Sequence, residues 1–381
     1  MENLLKKAKE TLSAREKDLV YRAERCLKEN FIAGTKDLFS GRNIVIPSKT
    51  AYLGVWNWDS AFIALGLSYW DINAALDQVR VFFDNQTETG MFVDALLLDG
   101  EIYQTTTKPP VFAWVLKLID ERYGLPDLNY YYEKLKKNEK WWRYHRMAGD
   151  LFHYDSFILN DHYKQSCRNE SGWDTSVRWD NGAETLWAVD LNCYMLEVYR
   201  SLLYFSVKLQ KFDDYGMWKS RAEKLEQKIE EIFWCEKAGF YCDYNFETET
   251  HSKVFSPAGF MPLFVKTASK ERAKLCAEKA MSEKYFYPYM PTVAYCDEKY
   301  TSFDYWRGPT WLNVFYFAIA GLENCGFHAE SKKLRENFLQ LADNEKSGIY
   351  EYYDSRTGKG LGAFQFSWSA AFILELILNE K

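Results

Sequence analysis

The chain has 381 residues, of which 47% are apolar and 27% charged, a balance typical of globular proteins rather than fibrous or disordered ones. Its formal charge is −6, so no overall positive field favours nucleic acid or an anionic membrane surface as a partner. The aromatic share is unusually high at 18%, with 14 Trp, 27 Tyr and 26 Phe. This aromatic excess requires a structural or functional explanation.

The termini, cysteines and histidines limit location and cofactor chemistry. The first residues mix charges of both signs with leucines at helical spacing, unlike a secretory signal, and no segment reaches the roughly 18 to 20 consecutive apolar residues of a membrane span. We therefore expect a cytoplasmic protein. Its 8 cysteines form no CxxC pair and its 5 histidines no HExxH motif, so we expect buried thiols and neither a metal nor an organic cofactor.

Apolar periodicity predicts twelve helices, whereas strand signals are sparse, the best being 43–47 and a hairpin near 239–255. Length alone allows two or three domains, but no Pro/Gly/Ser-rich linker divides the chain, and one domain over residues 1–381 is favoured. In chain order the predicted helices are 2–29, 59–69, 72–87, 110–123, 128–147, 184–209, 213–234, 257–266, 269–283, 309–324, 327–343 and 367–379.

The gaps between these helices alternate in character. Gaps leading into odd-numbered helices are short, whereas each gap leading into an even-numbered helix carries aromatic or polar motifs. If odd and even helices form an outer and an inner ring, these six gaps all open at the N-termini of the inner helices. The pattern predicts an all-α fold, an (α/α)6 toroid with minor β-hairpins. The six gaps are GVWNWD (54–59), QTTTKPP (104–110), RNESGWDTSVRWDNG (168–182), FSPAGF (255–260), DYWRGPTW (304–311) and IYEYYDSRTGKGLGAFQFSWS (349–369).

Such a fold also explains the aromatic excess. Trp and Tyr faces in one central cavity can stack on the apolar faces of sugars, while carboxylates, amides and Arg bind hydroxyl groups. The positive N-termini of the inner helices favour carboxylates there. A small carbohydrate is therefore the predicted ligand.

The first candidate catalytic residue is Asp174, in the motif ESGWD. Gly172 permits a sharp turn, and Trp173 places an apolar face beside the carboxyl, which raises its pKa and suits a general acid. The alternative interpretation is structural: Asp174 or Asp180 caps a helix that begins near Ala183.

The second candidate is Glu351, which lies among tyrosines in YEYYD and precedes a glycine-containing loop. Such a carboxylate can orient water as a general base. The alternatives are that Glu351 faces solvent, or that the nearby Asp354 takes the role.

Two further motifs combine aromatic rings with one charged group. They are WNWD, with Trp56 and Asp59, and YWRGPTW, with Tyr305, Trp306 and Arg307. An Asp accepts hydrogen bonds from sugar hydroxyls and an Arg donates in a fixed fork. The structural alternative is that Asp59 is an N-cap and Arg307 its ion-pair partner.

Together these motifs resemble the inverting (α/α)6-barrel glycosidases that include glycoside hydrolase family 63, with its processing α-glucosidases and mannosylglycerate hydrolases, and more distantly the trehalases. The resemblance runs from WNWDSAFIALGL through TTTKPPVFAW, ESGWDTSVRWD and YWRGPTW to EYYDSRTGKGLGAFQFSWSAA. It implies that Asp174 is the general acid and Glu351 the general base. The residues expected to bind substrate are Trp56, Asp59, Lys108, Trp173, Tyr305, Trp306, Arg307 and Trp368.

Two departures from the family pattern concern the substrate. Lys108 precedes Pro109 and Pro110 where relatives often have Gln, which points to an acidic aglycone such as glycerate. The short chain favours a small substrate over a branched glycan.

The sequence thus predicts inverting hydrolysis of a terminal α-glucoside or α-mannoside, such as a glycosylglycerate or a disaccharide. Its two carboxyl groups are expected about 6.5–9.5 Å apart. Two alternatives stay open. A sugar epimerase or isomerase on the same barrel would use histidines, and none lies in the six motif-bearing gaps. A non-catalytic carbohydrate-binding protein would keep the aromatic platforms without turnover.

Overall fold

The computed structural model describes residues 10–34, 39–155 and 166–379. Each of the twelve predicted helices that falls within these ranges has a counterpart, and one short helix, α6, was not predicted. The helices are α1 (Ala14–Glu29), α2 (Asn57–Leu67), α3 (Ile72–Asp84), α4 (Phe112–Tyr123), α5 (Leu128–His145), α6 (Ser166–Ser171), α7 (Val189–Lys208), α8 (Phe212–Ile232), α9 (Met261–Phe264), α10 (Lys270–Ala280), α11 (Leu312–Asn324), α12 (His328–Asp343) and α13 (Ser367–Leu378).

Two concentric rings of helices form the fold. The inner helices α2, α4, α7, α9, α11 and α13 contact one another in that order, and α13 contacts α2, so the inner ring closes. The outer ring consists of α1, α3, α5, α8, α10 and α12. Every residue of α2 and of α13 is buried, whereas α8 buries a single stripe, as expected for an inner and an outer helix. The predicted (α/α)6 toroid is confirmed.

Three predicted helices differ at their starts. The helix predicted at 2–29 is interrupted before Ser13, which caps α1 through a capping box with Glu16, and residues 2–9 lie outside the described ranges. Residues 257–260 form a 3-10 turn before α9. The helix predicted to begin at 184 begins at Val189, because Leu186 and Trp187 instead form a strand that pairs with Asn245 and Tyr244.

Short antiparallel strands connect the helices. The predicted stretch 43–47 contains Ile44–Val45, which pairs with Phe31–Ile32. The hairpin predicted near 239–255 is formed by Tyr244–Asn245 and Thr250–His251. Phe240–Tyr241 pairs instead with Trp234–Cys235, which precedes it in the sequence. Two further sets border the functional cavity. They are the sheet of β1 (Gly54–Trp56), β2 (Ala95–Leu97) and β3 (Ile102–Tyr103), and the hairpin of β4 (Tyr350–Tyr353) and β5 (Gly360–Phe364).

A buried polar cluster joins the inner helices on the barrel axis side of α13. Glu375 of α13 is fully buried and accepts hydrogen bonds from Arg122 of α4 at 2.7 Å, from Tyr69 after α2 at 2.8 Å and from Tyr316 of α11 at 3.3 Å. A buried charge needs such pairing. The cluster connects α13 with α4, α11 and the residues that follow α2. Within the described residues, none of the helices combines the length and apolar composition needed to cross a bilayer.

Candidate active site

A cavity of about 790 Å³ lies at the N-terminal ends of the inner helices. Five of the six motif-bearing gaps contribute to its wall. The exception is FSPAGF (255–260), which was predicted to join them. Its Phe255 and Phe260 pack instead against Phe240, with ring centroids 5.8 and 5.2 Å away, so this segment belongs to the core.

Both predicted catalytic carboxyls line this one cavity. Asp174 reaches it from the loop before α7 and Glu351 from β4. Six of the eight predicted substrate-binding residues line it too, whereas Trp173 and Arg307 do not. The six are Trp56, Asp59, Lys108, Tyr305, Trp306 and Trp368.

Trp173 supports the cavity wall from behind. It is buried and stacks on Trp306 at 5.0 Å, Trp306 stacks on Trp311 at 4.0 Å, and Trp311 stacks on Tyr352 at 4.8 Å. The guanidinium of Arg178 lies 4.8 Å from the Trp173 ring centroid. Trp173 is not among the residues that line the cavity, and it belongs to a four-ring stack that fixes Trp306.

Arg307 also has a structural position. Its guanidinium donates to both carboxylate oxygens of Asp180, at 3.0 and 2.8 Å, and to the carbonyl oxygen of Thr175 at 3.0 Å. Arg307 is not among the residues that line the cavity. It forms an ion pair, as the structural alternative expects, but with Asp180 instead of Asp59. The ion pair ties the loop before α11 to the loop that carries Asp174.

The turn at Gly172 places Asp174. Gly172 has φ +74°, and a Cβ there would lie 2.2 Å from the Trp58 ring, so only glycine fits. Oδ1 of Asp174 is buried and accepts no hydrogen bond from the residues that the structure describes. Neither Asp174 nor Asp180 caps the 3-10 helix at 183–185, whose N-cap is Gly182.

Burial raises the pKa of Asp174 to about 6. The positive charge of Lys108 opposes this rise in pKa and the negative charge of Asp94 reinforces it. A carboxyl that holds its proton at near-neutral pH can donate it to a leaving group. The sequence prediction of a raised pKa is in line with this value.

Three donors hold Glu351. Oε1 accepts from the Tyr52 hydroxyl at 2.7 Å and from the Tyr305 hydroxyl at 3.3 Å, and Oε2 accepts from the Ala363 amide at 2.8 Å. Gly362 has φ +71°, and a Cβ there would lie 2.4 Å from Oε2, so the strand approaches the carboxyl through a glycine. Glu351 is thus fixed and buried, which excludes the solvent-facing alternative.

The pKa of Glu351 is raised above its usual value because the carboxyl is buried, although the two tyrosine hydroxyls and the Ala363 amide lower it by stabilising the charged form. The charge of Asp174 also raises it, which means that the two carboxyls act on each other.

Asp354, the alternative candidate for the general base, stabilises a turn. Its Oδ1 accepts from the amides of Arg356 and Thr357, each at 2.8 Å, and its Oδ2 accepts from the Ser302 hydroxyl at 2.8 Å. These bonds lower its pKa. Asp354 is not among the residues that line the cavity.

Asp59 lies in the first turn of α2 and is not its N-cap, a position that Trp56 occupies. Its carboxyl is buried, and burial together with the charges of Glu351 and Asp94 raises its pKa to about 8, while Lys108 opposes the rise. Asp59 is therefore protonated over much of the neutral range, when it can donate as well as accept hydrogen bonds.

Sequence reasoning missed a polar cluster beside Asp174. The Lys108 ammonium donates to the carbonyl oxygen of Asn169 and, at 2.6 Å, to its Oδ1, and it lies 3.4 Å from Oδ1 of Asp94. Nδ2 of Asn169 donates to Oδ2 of Asp94 at 2.9 Å. Lys108 and Asn169 come from recognised motifs, but Asp94 has no motif around it. The other missed lining residues are Tyr52, Trp58, Glu101, Tyr103, Thr105, Gly172, Thr175, Trp311 and Phe366.

In the part of the chain that the structure describes, no group of three or more His, Cys, Asp or Glu side chains is placed to hold a metal ion. No described histidine lines the cavity, and His162 lies outside the described ranges.

Comparison with known proteins identifies the family. The sequence profile of the mannosylglycerate hydrolase MGH1-like glycoside hydrolase domain matches residues 52–369. The chain belongs to this family. It is 28% identical to a mannosylglycerate hydrolase of Thermus thermophilus, over 86% of this chain and 95% of that protein.

Solved structures agree with this membership of the glycoside hydrolases. The crystal structure of the family 63 mannosylglycerate hydrolase of Thermus thermophilus in complex with Tris and D-glycerate is 25% identical, with a TM-score of 0.79 over 93% of this chain and 99% of that one. Neutral trehalase Nth1 of Saccharomyces cerevisiae, at 18% identity, has a TM-score of 0.72 over 93% of this chain and 79% of that one and shares the fold. The resemblance predicted from the motifs is confirmed.

Proposed function

We propose that this glycoside hydrolase cleaves the terminal bond of a small α-glucoside or α-mannoside, such as a glycosylglycerate or a disaccharide, with inversion. The observation that carries the proposal is that Asp174 and Glu351, fixed by separate loops, line the same cavity. The names of the relatives support a small glycoside as the substrate class.

In the proposed reaction Asp174 donates its proton to the glycosidic oxygen as the bond to the anomeric carbon breaks. Glu351 accepts a proton from the water whose oxygen bonds to that carbon from the opposite face. The roles agree with the two environments. Oδ1 of Asp174 is buried and accepts no hydrogen bond from the described residues, which favours the acid form. Glu351 accepts three hydrogen bonds, which favour the carboxylate and oppose the rise in pKa that its burial causes.

The aromatic wall would hold the sugar. Trp56, Tyr305, Trp306 and Trp368 present rings to the cavity, and Asp59 offers a buried carboxyl to sugar hydroxyls. Because Trp306 is buried between Trp173 and Trp311, its ring faces are covered by protein, and the partly exposed rings of Trp56 and Tyr305 are better placed to stack on a sugar.

Paired variants test the roles. Glu351→Gln and Asp174→Asn should each keep the fold and lower kcat by about 10²–10⁴-fold or more. Asp354→Asn is the matched control, since it changes an acid of the same hairpin that does not line the cavity, and it should keep turnover. Full activity in either catalytic variant would remove that residue from its role. Sugar affinity without release from any α-glycoside would favour the non-catalytic binding protein.

We further infer that residues 1–381 form one domain, which the closure of the inner ring from α13 to α2 supports. A cytoplasmic location, with no nucleic acid or membrane as partner, also stays a prediction.

A further inference from the structure

The loop of residues 305–311, the bridging loop, contacts both segments that carry a proposed catalytic carboxyl. On one side it is fixed to the hairpin of Glu351. The amide of Thr310 donates to the carbonyl oxygen of Tyr353 at 2.8 Å, and the amide of Tyr353 donates back to that of Thr310 at 2.9 Å. The hydroxyl of Tyr305 donates to Oε1 of Glu351 at 3.3 Å. The bridging loop is thus attached to the segment of the proposed base.

On its other side the bridging loop holds both chain neighbours of Asp174. The ring of Trp306 stacks on that of Trp173, with centroids 5.0 Å apart. The amide of Trp306 donates to Oγ1 of Thr175 at 3.1 Å, and the guanidinium of Arg307 donates to the carbonyl oxygen of Thr175 at 3.0 Å. No hydrogen bond from a described residue fixes Oδ1 of Asp174, so the acid depends on these neighbours for its position.

Arg307 reaches a second point of the same segment, Asp180. Its two terminal nitrogens donate to the two carboxylate oxygens of Asp180 at 3.0 and 2.8 Å, and one of them, Nη1, also serves the carbonyl oxygen of Thr175. A planar guanidinium holds such acceptors in a fixed arrangement that a single ammonium does not reproduce. Arg307 therefore fastens the segment that follows Asp174 at both Thr175 and Asp180.

Neutralising the charge of Asp180 does not require Arg307. The carboxylate of Asp180 also accepts hydrogen bonds from Arg168 at 3.2 Å and from Lys299 at 2.9 Å, so two cations would remain for it without Arg307. Arg168 belongs to α6, within the acid's own stretch of chain, and Lys299 lies outside the bridging loop. What Arg307 adds is the link between Asp180 and the bridging loop.

We propose that Arg307 is a positioning residue that sets the place of the general acid relative to the general base, acting through Thr175 and Asp180 and without touching the sugar. Its absence from the cavity lining agrees with an indirect role. In an inverting glycosidase the distance between the two carboxyls leaves room for one water, so a displaced acid would slow the reaction. The inference rests on the proposed function, since the two carboxyls have these roles only in a glycosidase.

Arg307→Lys tests this role because it keeps the positive charge and removes the fork of donors. We expect kcat to fall by about tenfold or more and KM to change by less than about threefold, since a misplaced acid affects the chemical step more than the binding of sugar. An unchanged kcat would overturn the inference. A rise in KM as large as the fall in kcat would also overturn it, because it would show that Arg307 binds the sugar itself.

Arg272→Lys is the matched control. The Arg272 guanidinium also donates to a carbonyl oxygen and a carboxylate, both of Glu230, at 2.7 and 3.0 Å, and its side chain is 27% exposed against 23% for Arg307. It joins α10 to α8 and does not line the cavity. Arg272→Lys should lower the temperature of thermal unfolding about as much as Arg307→Lys and leave kcat and KM unchanged. An equal fall of kcat in the control would assign the effect to a lost ion pair in general and overturn the inference.

The pH profile separates positioning from a general loss of stability. Among the residues that the structure describes, the ionisable groups that interact with Asp174 are Lys108, Asp94, Glu351 and Tyr305. Arg307 is not one of them, so Arg307→Lys acts on the acid through its burial. Burial raises the pKa of Asp174 to about 6, and a displaced, hydrated carboxyl loses part of this rise. The alkaline limb of kcat/KM should therefore move to lower pH, and an unmoved limb would overturn the inference.

Unfolding measurements test the inference independently of hydrolysis. Because the folded pKa of Asp174 exceeds the ordinary 3.8, this residue makes the fold less stable as pH rises from about 4 to 6, and Asp174→Asn removes the decline. The free energy of unfolding that Asp174→Asn gains between pH 4 and pH 7 should be smaller in the Arg307→Lys chain and unchanged in the Arg272→Lys chain.

The two kinds of measurement keep the inference apart from the proposed function. A smaller gain in the Arg307→Lys chain, with no sugar released by the unaltered chain, would support the positioning of Asp174 and refute hydrolysis. An equal gain in the Arg307→Lys chain would overturn the inference, and hydrolysis by the unaltered chain would then leave the proposed function standing.

Discussion

The hydroxyl group of Tyr52 donates a 2.7 Å hydrogen bond to Oε1 of Glu351, across 299 positions of sequence. Tyr52 lies two residues before the first of the motif-bearing gaps and Glu351 lies in the last, and these parts of the chain meet because α13 closes the inner ring onto α2. A hydrogen bond to the charged form of a carboxyl lowers its pKa and so opposes the effect of burial. Tyr52 is therefore positioned to keep Glu351 ionised.

Replacing Tyr52 by Phe should raise the pKa of Glu351. Because the base works in its ionised form, the acidic limb of the kcat/KM profile should then move to higher pH, with a smaller change at the plateau. Steady-state kinetics from pH 4 to pH 8 would measure the shift. An acidic limb in the same place as that of the unaltered chain would show that Tyr52 does not act on the base.

Asp174→Asn should lower kcat/KM most for substrates with poor leaving groups. An aryl glycoside with an acidic phenol needs little protonation, so its hydrolysis should fall much less than that of an alkyl glycoside. The comparison of kcat/KM across a series of leaving groups measures this difference. Asp304→Asn, which changes an exposed acid in the loop before α11, is the control. An equal loss for all leaving groups would assign Asp174 a role other than proton donor.

The alkaline limb of activity should report Asp174. Its pKa is raised to about 6, and the acid works only while protonated, so kcat/KM should fall as pH rises through about 6. Lys108→Gln removes the positive charge that lowers this pKa, and the limb should then move to higher pH. An unmoved or lowered limb in the variant would contradict the assignment.

Asp59 should make the folded state less stable at alkaline pH. Its folded pKa of about 8 exceeds the ordinary 3.8, so the folded chain keeps a proton that the unfolded chain has lost, and stability falls as pH rises from about 4 to 8. Asp59→Asn removes this decline. Relative to the unaltered chain, its free energy of unfolding should rise by on the order of a few kcal/mol between pH 4 and pH 8. Urea unfolding at both values tests this, and a constant difference would contradict it.

Much of the fold was accessible from the sequence because its signals are periodic. Helical spacing located the helices, and the alternation of plain and motif-bearing gaps indicated two rings. The starts of α7 and α9 were missed for physical reasons. Leu186–Trp187 gains strand partners at Tyr244–Asn245, and a 3-10 turn at 257–260 takes the start of the helix predicted there. The start of α7 depends on strand partners distant in sequence, and the start of α9 depends on a local turn conformation. Apolar periodicity encodes neither.

The sequence motifs identified the two acids, Asp174 and Glu351, that line the cavity, but they predicted the contacts of the surrounding residues less well. A motif identifies a residue type, whereas its role depends on what faces it in space. Trp173 and Arg307 were expected to touch sugar. In the structure, the Trp173 ring stacks on Trp306 and the Arg307 guanidinium forms an ion pair with Asp180. Asp94 was missed because no local sequence pattern links it to Lys108, with which it forms an ion pair in the folded chain.

The anomer released in the first turnovers tests the paired roles of Asp174 and Glu351 most directly. Proton NMR can follow an aryl α-glucoside or α-mannoside, whichever the chain cleaves, before the free sugar mutarotates. Attack by a water that Glu351 activates, opposite a leaving group that Asp174 protonates, predicts that the β-anomer appears first. Initial release of the α-anomer would contradict the account.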